Sequence, residues 1–282
     1  MAILGIRAHD LGCMRAQMLA RTARGQGLGA LQLALAKALR FQDGGLPPLD
    51  DRLAEEVRQA MEENGVKIAV LSCYINPVNP DEAARERDLR KFDEYLAFAG
   101  RVGAGLVGTE TGSYNADCSP HPWNRTDEAF DILVSSLARL ARRAEECGVD
   151  IGIEGVVRHT AYSPVRMRAL FDRVGSERVK VIFDPVNLLS PDNAYVQQAV
   201  IDQCVALFGG RIRAVHLKDF VLENGDLRAV PVGQGQFDFA HLVRCIASLP
   251  QPVDYIFDEV AEGTLPSCKA YFEKILAENA GK

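Results

Sequence analysis

The chain has 282 residues, 48% hydrophobic and 25% charged, ordinary for a soluble globular protein and sufficient for a full-sized core. A formal charge of −6 and a pI near 5.5 argue against a dominant nucleic-acid partner, because phosphate contacts need clustered Lys and Arg. The 7 cysteines are odd in number, scattered and free of CxxC pairs, which excludes zinc-finger spacing and fits reduced thiols better than a disulfide framework. No apolar stretch reaches the roughly 18 residues of a membrane span. The first apolar run is broken by Arg7, His9 and Asp10, so no signal peptide is expected and the expected location is the cytoplasm.

Short β-like runs alternate with longer helix-like segments throughout. Strands are predicted over 3–8, 28–34, 66–72 and 105–109, with helices over 14–25, 50–64 and 80–101 between them. Asn79 is the expected N-cap of the third helix. A long polar loop, ETGSYNADCSPHPWNRT, precedes a helix over 127–146, and a loop of that length in a compact domain tends to be functional. Further strands are predicted over 149–154, 179–184, 211–218 and 253–259, each followed by a helix, over 163–174, 193–208, 239–248 and 266–278. Eight βα units without a composition break predict an α/β chain forming a single (β/α)8 TIM barrel, one domain over 1–282. An open doubly wound sheet is the alternative, but no GxGxxG follows the first strand.

Four polar side chains stand at or just past the ends of the last four apolar runs: Glu154 after VDIGI, Asp184 after VKVIF, His216 within IRAVHLKD and Glu259 closing DYIFDE. Brought side by side on parallel strands, they make an oxygen-rich set for a divalent cation, Mn²⁺ first and Mg²⁺, Co²⁺ or Zn²⁺ as alternatives. Each alone has a plainer reading. Glu154 is open to capping a turn, Asp184 to serving the turn at Pro185, His216 to being a satisfied core histidine, and Glu259 to pairing with a nearby Lys or Arg. The coincidence of all four at one barrel end favours a metal site, where the cation would act as a Lewis acid on a substrate oxygen.

The order IEGVVRH, FDPVN, HLKD, VGQGQFDF and FDEV resembles the sugar phosphate isomerase/epimerase superfamily, the xylose-isomerase-like barrels that include ketose 3-epimerases, inosose dehydratases and endonuclease IV. The likeness is close in the second half and a matter of strand rhythm in the first. It implies that Glu154, Asp184, His216 and Glu259 bind the metal. It also implies that Glu154 and Glu259 act as acid and base on opposite faces of a sugar, through an enediolate. Two positions depart from the pattern: Asn187 stands where many relatives have histidine, and Thr160 where the ketose 3-epimerases have a second glutamate. A free ketohexose is therefore not the expected substrate.

Further candidate substrate contacts are Arg158 and His159 after the fifth strand, Asn187, Lys218, Arg228 ahead of Pro231, Glu110 at the fourth strand's end, His9 at the first, and Trp123 in the long loop. Lys218 is equally open to pairing with Asp219, Arg158 to plain solvent exposure and Trp123 to anchoring a lid. The VGQG stretch reads as a tight turn whose amides face either an anion or nothing in particular. Cys118 near His121 has no orienting group and reads as structural.

The leading expectation is a metal-dependent isomerase or epimerase on a carbohydrate or its derivative, with a lyase or dehydratase on a keto-sugar or keto-glycoside as the alternative. An endonuclease IV-like hydrolase ranks lower, since it needs several more histidines than the 5 present, as does a silent binding relative, against which the four intact ligand positions count. The partner expected is a small carbohydrate, with no nucleic acid and no membrane. Pairing into a homo-oligomer through outer helices is compatible with the composition, although no diagnostic patch stands out.

Overall fold

Runs of β-branched and aliphatic residues bounded by polar ends form strands only when their backbone groups are paired, and here they pair with one another in a closed ring. The computed structural model describes residues 3–41 and 44–279. The strands and helices follow one another as β1 (Leu4–Arg7), α1 (Ala16–Gly25), β2 (Ala30–Leu33), α2 (Leu35–Ala38), α3 (Asp51–Glu63), β3 (Lys67–Ser72), α4 (Glu82–Val102), β4 (Leu106–Glu110), α5 (Asp127–Cys147), β5 (Asp150–Glu154), α6 (Pro164–Val174), β6 (Val179–Phe183), α7 (Gln197–Phe208), β7 (Ile212–Leu217), β8 (Asp219–Glu223), β9 (Asp226–Val230), α8 (Phe239–Ala247), β10 (Asp254–Phe257) and α9 (Leu265–Asn279). The barrel closes in the order β1, β10, β7, β6, β5, β4, β3, β2, all parallel. This is the expected TIM barrel of eight parallel strands sheathed by helices.

Two cores hold it. The larger lies between strands and helices and is filled by side chains such as Leu19, Phe92, Leu133, Phe171 and Phe272. The smaller fills the barrel itself, where Ala30, Val70, Leu106, Ile182, Ala214 and Ile256 cluster. Gly108 and Gly152 make room for them, since a Cβ on Gly108 would stand 2.6 Å from Val70 and one on Gly152 would stand 2.9 Å from Ile182. Side chains alternate along a strand, so the residues two further on point inward as well, one layer nearer the C-terminal rim. Two beyond Ala30, Gly108, Gly152, Ile182, Ala214 and Ile256 stand Gln32, Glu110, Glu154, Asp184, His216 and Asp258. The apolar layer is thus a floor on which a polar layer is built.

Five helices, α3, α4, α5, α6 and α8, start on a side-chain cap. Asp50 accepts from Leu53 N–H, Thr126 from Ala129, Ser163 from Arg166 and Asp238 from His241. The cap of α4 is Asp81 and not Asn79, because Asp81 reaches Ala83 and Ala84 N–H while Asn79 Oδ1 accepts from Asp81 N–H one turn earlier. Within 193–208 the first turn is 3-10, over Ala194–Val196, before α7 begins.

The stretch after β7 is an antiparallel hairpin of β8 and β9. At its base, buried Asp219 accepts from the backbone N–H groups of Phe220, Gly233, Gly235 and Phe237 at 2.8–3.0 Å. The Gly233, Gly235 and Phe237 amides are therefore committed to an internal carboxylate, while those of Gln234 and Gln236 donate to the Pro231 and Phe220 carbonyls. Gly235 fits because Asp219 occupies the space a Cβ would take.

Candidate metal centre and active site

Gln32, Glu110, Glu154 and Asp258 of the inward polar layer line a cavity of about 350 Å³ at the C-terminal end of the barrel, with Arg7, His9, Tyr74, Lys218 and Glu259 among its other walls. Its deepest members are almost sealed from solvent: Glu154 is 2% exposed, Asp184 1% and His216 1%. One donor atom from each of these three lies within 4.8 Å of the other two. His216 Nδ1 stands 3.5 Å from Glu154 Oε1, 3.5 Å from Asp184 Oδ2 and 3.5 Å from Asp258 Oδ2.

On the far side of the imidazole ring, Nε2 lies 2.7 Å from Gln32 Oε1. An amide oxygen only accepts, so Nε2 carries a hydrogen, and Nδ1 is the nitrogen turned toward three carboxylates. The Gln32 amide donates to Tyr74 Oη at 3.2 Å, and Tyr74 donates to Glu154 Oε2 at 2.7 Å. Asn187 closes the other flank, giving Nδ2–H to Glu154 Oε1 at 2.6 Å and its backbone N–H to Asp184 Oδ1 at 3.0 Å. The ligand set is thereby oriented by neighbours that hold each donor atom in place.

Two buried atoms are left over. Asp184 Oδ2 and His216 Nδ1 have no hydrogen-bond partner, although Lys218 Nζ approaches Asp184 Oδ2 to 3.0 Å off the line of a good bond. A lone pair turned toward carboxylates is stable only with a cation or proton between them. Burial alone would push His216 down, yet Glu154, Asp258 and Asp184 together hold it up at about 10. Burial likewise opposes ionisation of Asp184, and Lys218 and His216 overcome it, bringing the carboxyl to about 2. Anionic oxygens and an imidazole nitrogen facing one point, with two donor atoms unpartnered, fit a hard or borderline divalent cation.

The fourth expected ligand needs correction. Asp258, not Glu259, turns into the cluster, since Ile256 faces the barrel interior and the two-residue period carries Asp258 inward with it. Glu259 follows at φ 56, a left-handed conformation held by its N–H bond to Asp258 Oδ1 at 2.9 Å. Its side chain is 50% exposed, lines the cavity rim and stands 3.7 Å from Lys218 Nζ. Asp258 is also 2.8 Å from Arg7 Nη1 and 3.0 Å from Lys218 Nζ.

Of the other candidates, His9, Glu110 and Lys218 line the cavity, and Asn187 touches Glu154 from beside it. Lys218 pairs with Asp184 and Asp258 and not with Asp219, because it and Asp219 face opposite sides of the chain. Glu110 sits in register with Glu154 on the neighbouring strand. Burial and then the Glu154 charge push its carboxyl up to about 7. Buried His159 stands 3.6 Å from Glu110.

The remaining three do not line the main cavity. Arg158 is exposed between a cavity of about 410 Å³ shared with His121 and Arg125 and one of about 290 Å³ that it lines with Asn187, Lys218 and Glu259, beside the cluster. Arg228 is on the β9 arm, paired with Glu223 at 2.8 Å. Trp123 is 45% exposed and stacks on Tyr114 at 4.8 Å. Conversely, Arg7, Gln32, Tyr74 and Asp258 belong to the site without having been singled out. For Gln32 and Asp258 the available signal was their position two residues beyond the inward-facing Ala30 and Ile256.

Comparison with known proteins agrees with this architecture. No curated protein sequence matches the chain. A D-tagatose 3-epimerase-like protein superposes with a TM-score of 0.77 at 14% identity, covering 98% of this chain and 98% of its own. A 3-keto-D-glucoside 4-epimerase from E. coli superposes at 0.74 with 15% identity, covering 97% and 100%. A xylose isomerase-like barrel protein from Mycobacterium smegmatis, solved in complex with magnesium, superposes at 0.67 with 16% identity, covering 99% and 97%. The family model for xylose isomerase-like TIM barrels matches residues 20–251, and the chain belongs to that family.

Proposed function

We propose that this protein is a divalent-metal-dependent isomerase or epimerase of a sugar or sugar derivative, working by removal of a proton next to a carbonyl. The observation that carries the reading is the sealed Glu154, Asp184 and His216 cluster with unpartnered Asp184 Oδ2 and His216 Nδ1 on the floor of a sugar-sized cavity. The cation would be held by these three and Asp258, Mn²⁺ or Mg²⁺ suiting the donors best, and when bound would supply Lewis-acid polarisation of substrate oxygens. The magnesium complex of the structural relative supports the choice of metal class.

The chain's own residues do the rest. A Glu154 carboxylate oxygen takes the proton from the carbon beside the carbonyl, its position set by the Tyr74 and Asn187 hydrogen bonds. Glu259, outside the cluster but at the same cavity and open to solvent, delivers a solvent-derived proton from the opposite side, and exchange with water returns both carboxyls to their starting forms. Lys218, charged and only 10% exposed, stabilises negative charge growing on the substrate oxygen. The test is incubation with keto-sugars and keto-sugar derivatives in D₂O with Mn²⁺. Deuterium entering the carbon next to the carbonyl supports the reading; absence of exchange across the panel removes it.

Elimination is the second reading, favoured by Glu110. A carboxyl held up at about 7, in register beside the proposed base, keeps a proton available for a leaving group at neutral pH. Product mass separates the two: it is conserved in isomerisation and divided in elimination.

A further inference from the structure

On the outer surface of the barrel, α7 and α8 bring together three donor side chains that the cavity chemistry does not use. His241 and Cys245 are four residues apart on α8 and so share a face, and Asp202 meets them from α7. His241 Nε2 is 2.7 Å from Asp202 Oδ1, while Cys245 Sγ is 3.4 Å from that oxygen and 3.4 Å from the same Nε2. Three different donor atoms therefore converge on one point.

A Cys–His–Asp catalytic relay is the obvious competing explanation, and the geometry excludes it. In a relay the imidazole stands between thiol and carboxylate and offers each a different ring nitrogen. Here both face Nε2. Burial and then the Asp202 carboxylate also hold the thiol up at about 11, the opposite of an activated nucleophile.

The distances instead suit coordination. With zinc bonds of about 2.0–2.3 Å in a tetrahedron, donor atoms stand roughly 3.3–3.8 Å apart. The two edges to sulfur, both 3.4 Å, already match. The His241–Asp202 edge at 2.7 Å must open by about 0.6 Å to reach the tetrahedral spacing, which is within the reach of a side chain 59% exposed.

We propose that Asp202, His241 and Cys245 form a surface site for zinc, separate from the barrel centre, in which water takes the fourth position and the ion clips α7 to α8. Binding replaces the thiol proton and shifts the His241 hydrogen from Nε2 to Nδ1, freeing the Nε2 lone pair: Cys–SH and Zn²⁺ give a Zn–S⁻ bond and one released H⁺. The thiolate donor selects zinc over Mg²⁺ or Mn²⁺, whereas the oxygen-rich barrel set takes the harder cations, so the two sites sort metals by softness.

Titration of the purified, reduced protein with Co²⁺ tests this, because a sulfur-to-cobalt charge-transfer band in the near ultraviolet can come only from a cysteine site and the barrel set contains no sulfur. The expected result is a band that saturates, near one equivalent once the barrel set is broken by Asp184→Asn, and that disappears on adding Zn²⁺. It is lost in Cys245→Ser and in His241→Gln, and kept in Asp184→Asn, which breaks the barrel set. Zinc should also raise the thermal midpoint of Asp184→Asn but not of Asp184→Asn/Cys245→Ser. No band in the parent protein, or one unchanged in Cys245→Ser, overturns the proposal whatever the enzyme assays show.

Discussion

His216 Nε2 donates to Gln32 Oε1 across the barrel at 2.7 Å, tying β7 to β2 and fixing which ring nitrogen faces the carboxylates. Replacing Gln32 by Leu would leave the ring free to present either nitrogen. We expect metal affinity to fall by about 10–100-fold, typical of a lost outer partner to a ligating histidine. The midpoint of Mn²⁺ activation reads this, and a Gln32→Glu variant, which keeps the acceptor, should retain most of the affinity.

Asp258 and Glu259 are adjacent in sequence but differ in environment, one inside the cluster and the other at its rim. Asp258→Asn should weaken Mn²⁺ binding measured by calorimetry. Glu259→Gln should leave binding within a factor of a few and lower turnover by about 10²–10⁴-fold, the usual range for a lost acid or base. The reverse pattern would return the ligand role to Glu259.

Lys218 brings its ammonium within 3.0 Å of both Asp184 and Asp258, oxygens the metal would share. Lys218→Met removes that competing charge, so Mn²⁺ should bind more tightly while turnover falls. Without metal the same variant leaves buried carboxylates uncompensated. Its melting temperature in EDTA should drop below the parent's and recover with Mn²⁺.

EDTA treatment of the parent protein should lower its melting temperature as well, since any ion bound to the folded form alone stabilises it by mass action, about 2.7 kcal/mol at a hundredfold excess over Kd. Differential scanning calorimetry with and without added Mn²⁺ measures it. A midpoint unmoved by either would sink the metal centre.

His159 is 6% exposed, and burial pushes its imidazole below the ordinary value of 6.5. Its folded pKa lies below its unfolded one, so the unfolded chain takes up the proton first as pH falls. Stability from this residue is full above about 6.5 and is lost progressively below it. Urea midpoints between pH 5 and 8 should therefore decline less steeply on the acid side in His159→Gln than in the parent.

Much of this molecule was legible one residue at a time. The alternation of apolar runs and amphipathic segments predicted eight parallel strands, because parallel strands need crossovers and crossovers need helices. Glu154, Asp184 and His216 could be named because strand ends at one rim of a barrel are where polar side chains gather. Composition had nothing to say about Asp202, His241 and Cys245, whose meeting depends on how α7 packs beside α8.

Two further matters were decided only in three dimensions. Whether Asp258 or Glu259 enters the cluster depends on which parity of β10 faces inward, and that is set by the packing of Ile256 against Ala30 and Ala214 on the barrel floor. The partners of Lys218 and Asp219, neighbours facing opposite ways, depend on contacts with residues far along the chain. Local pattern specifies where a strand lies and that its side chains alternate; only closure of the barrel specifies which half of that alternation is inside.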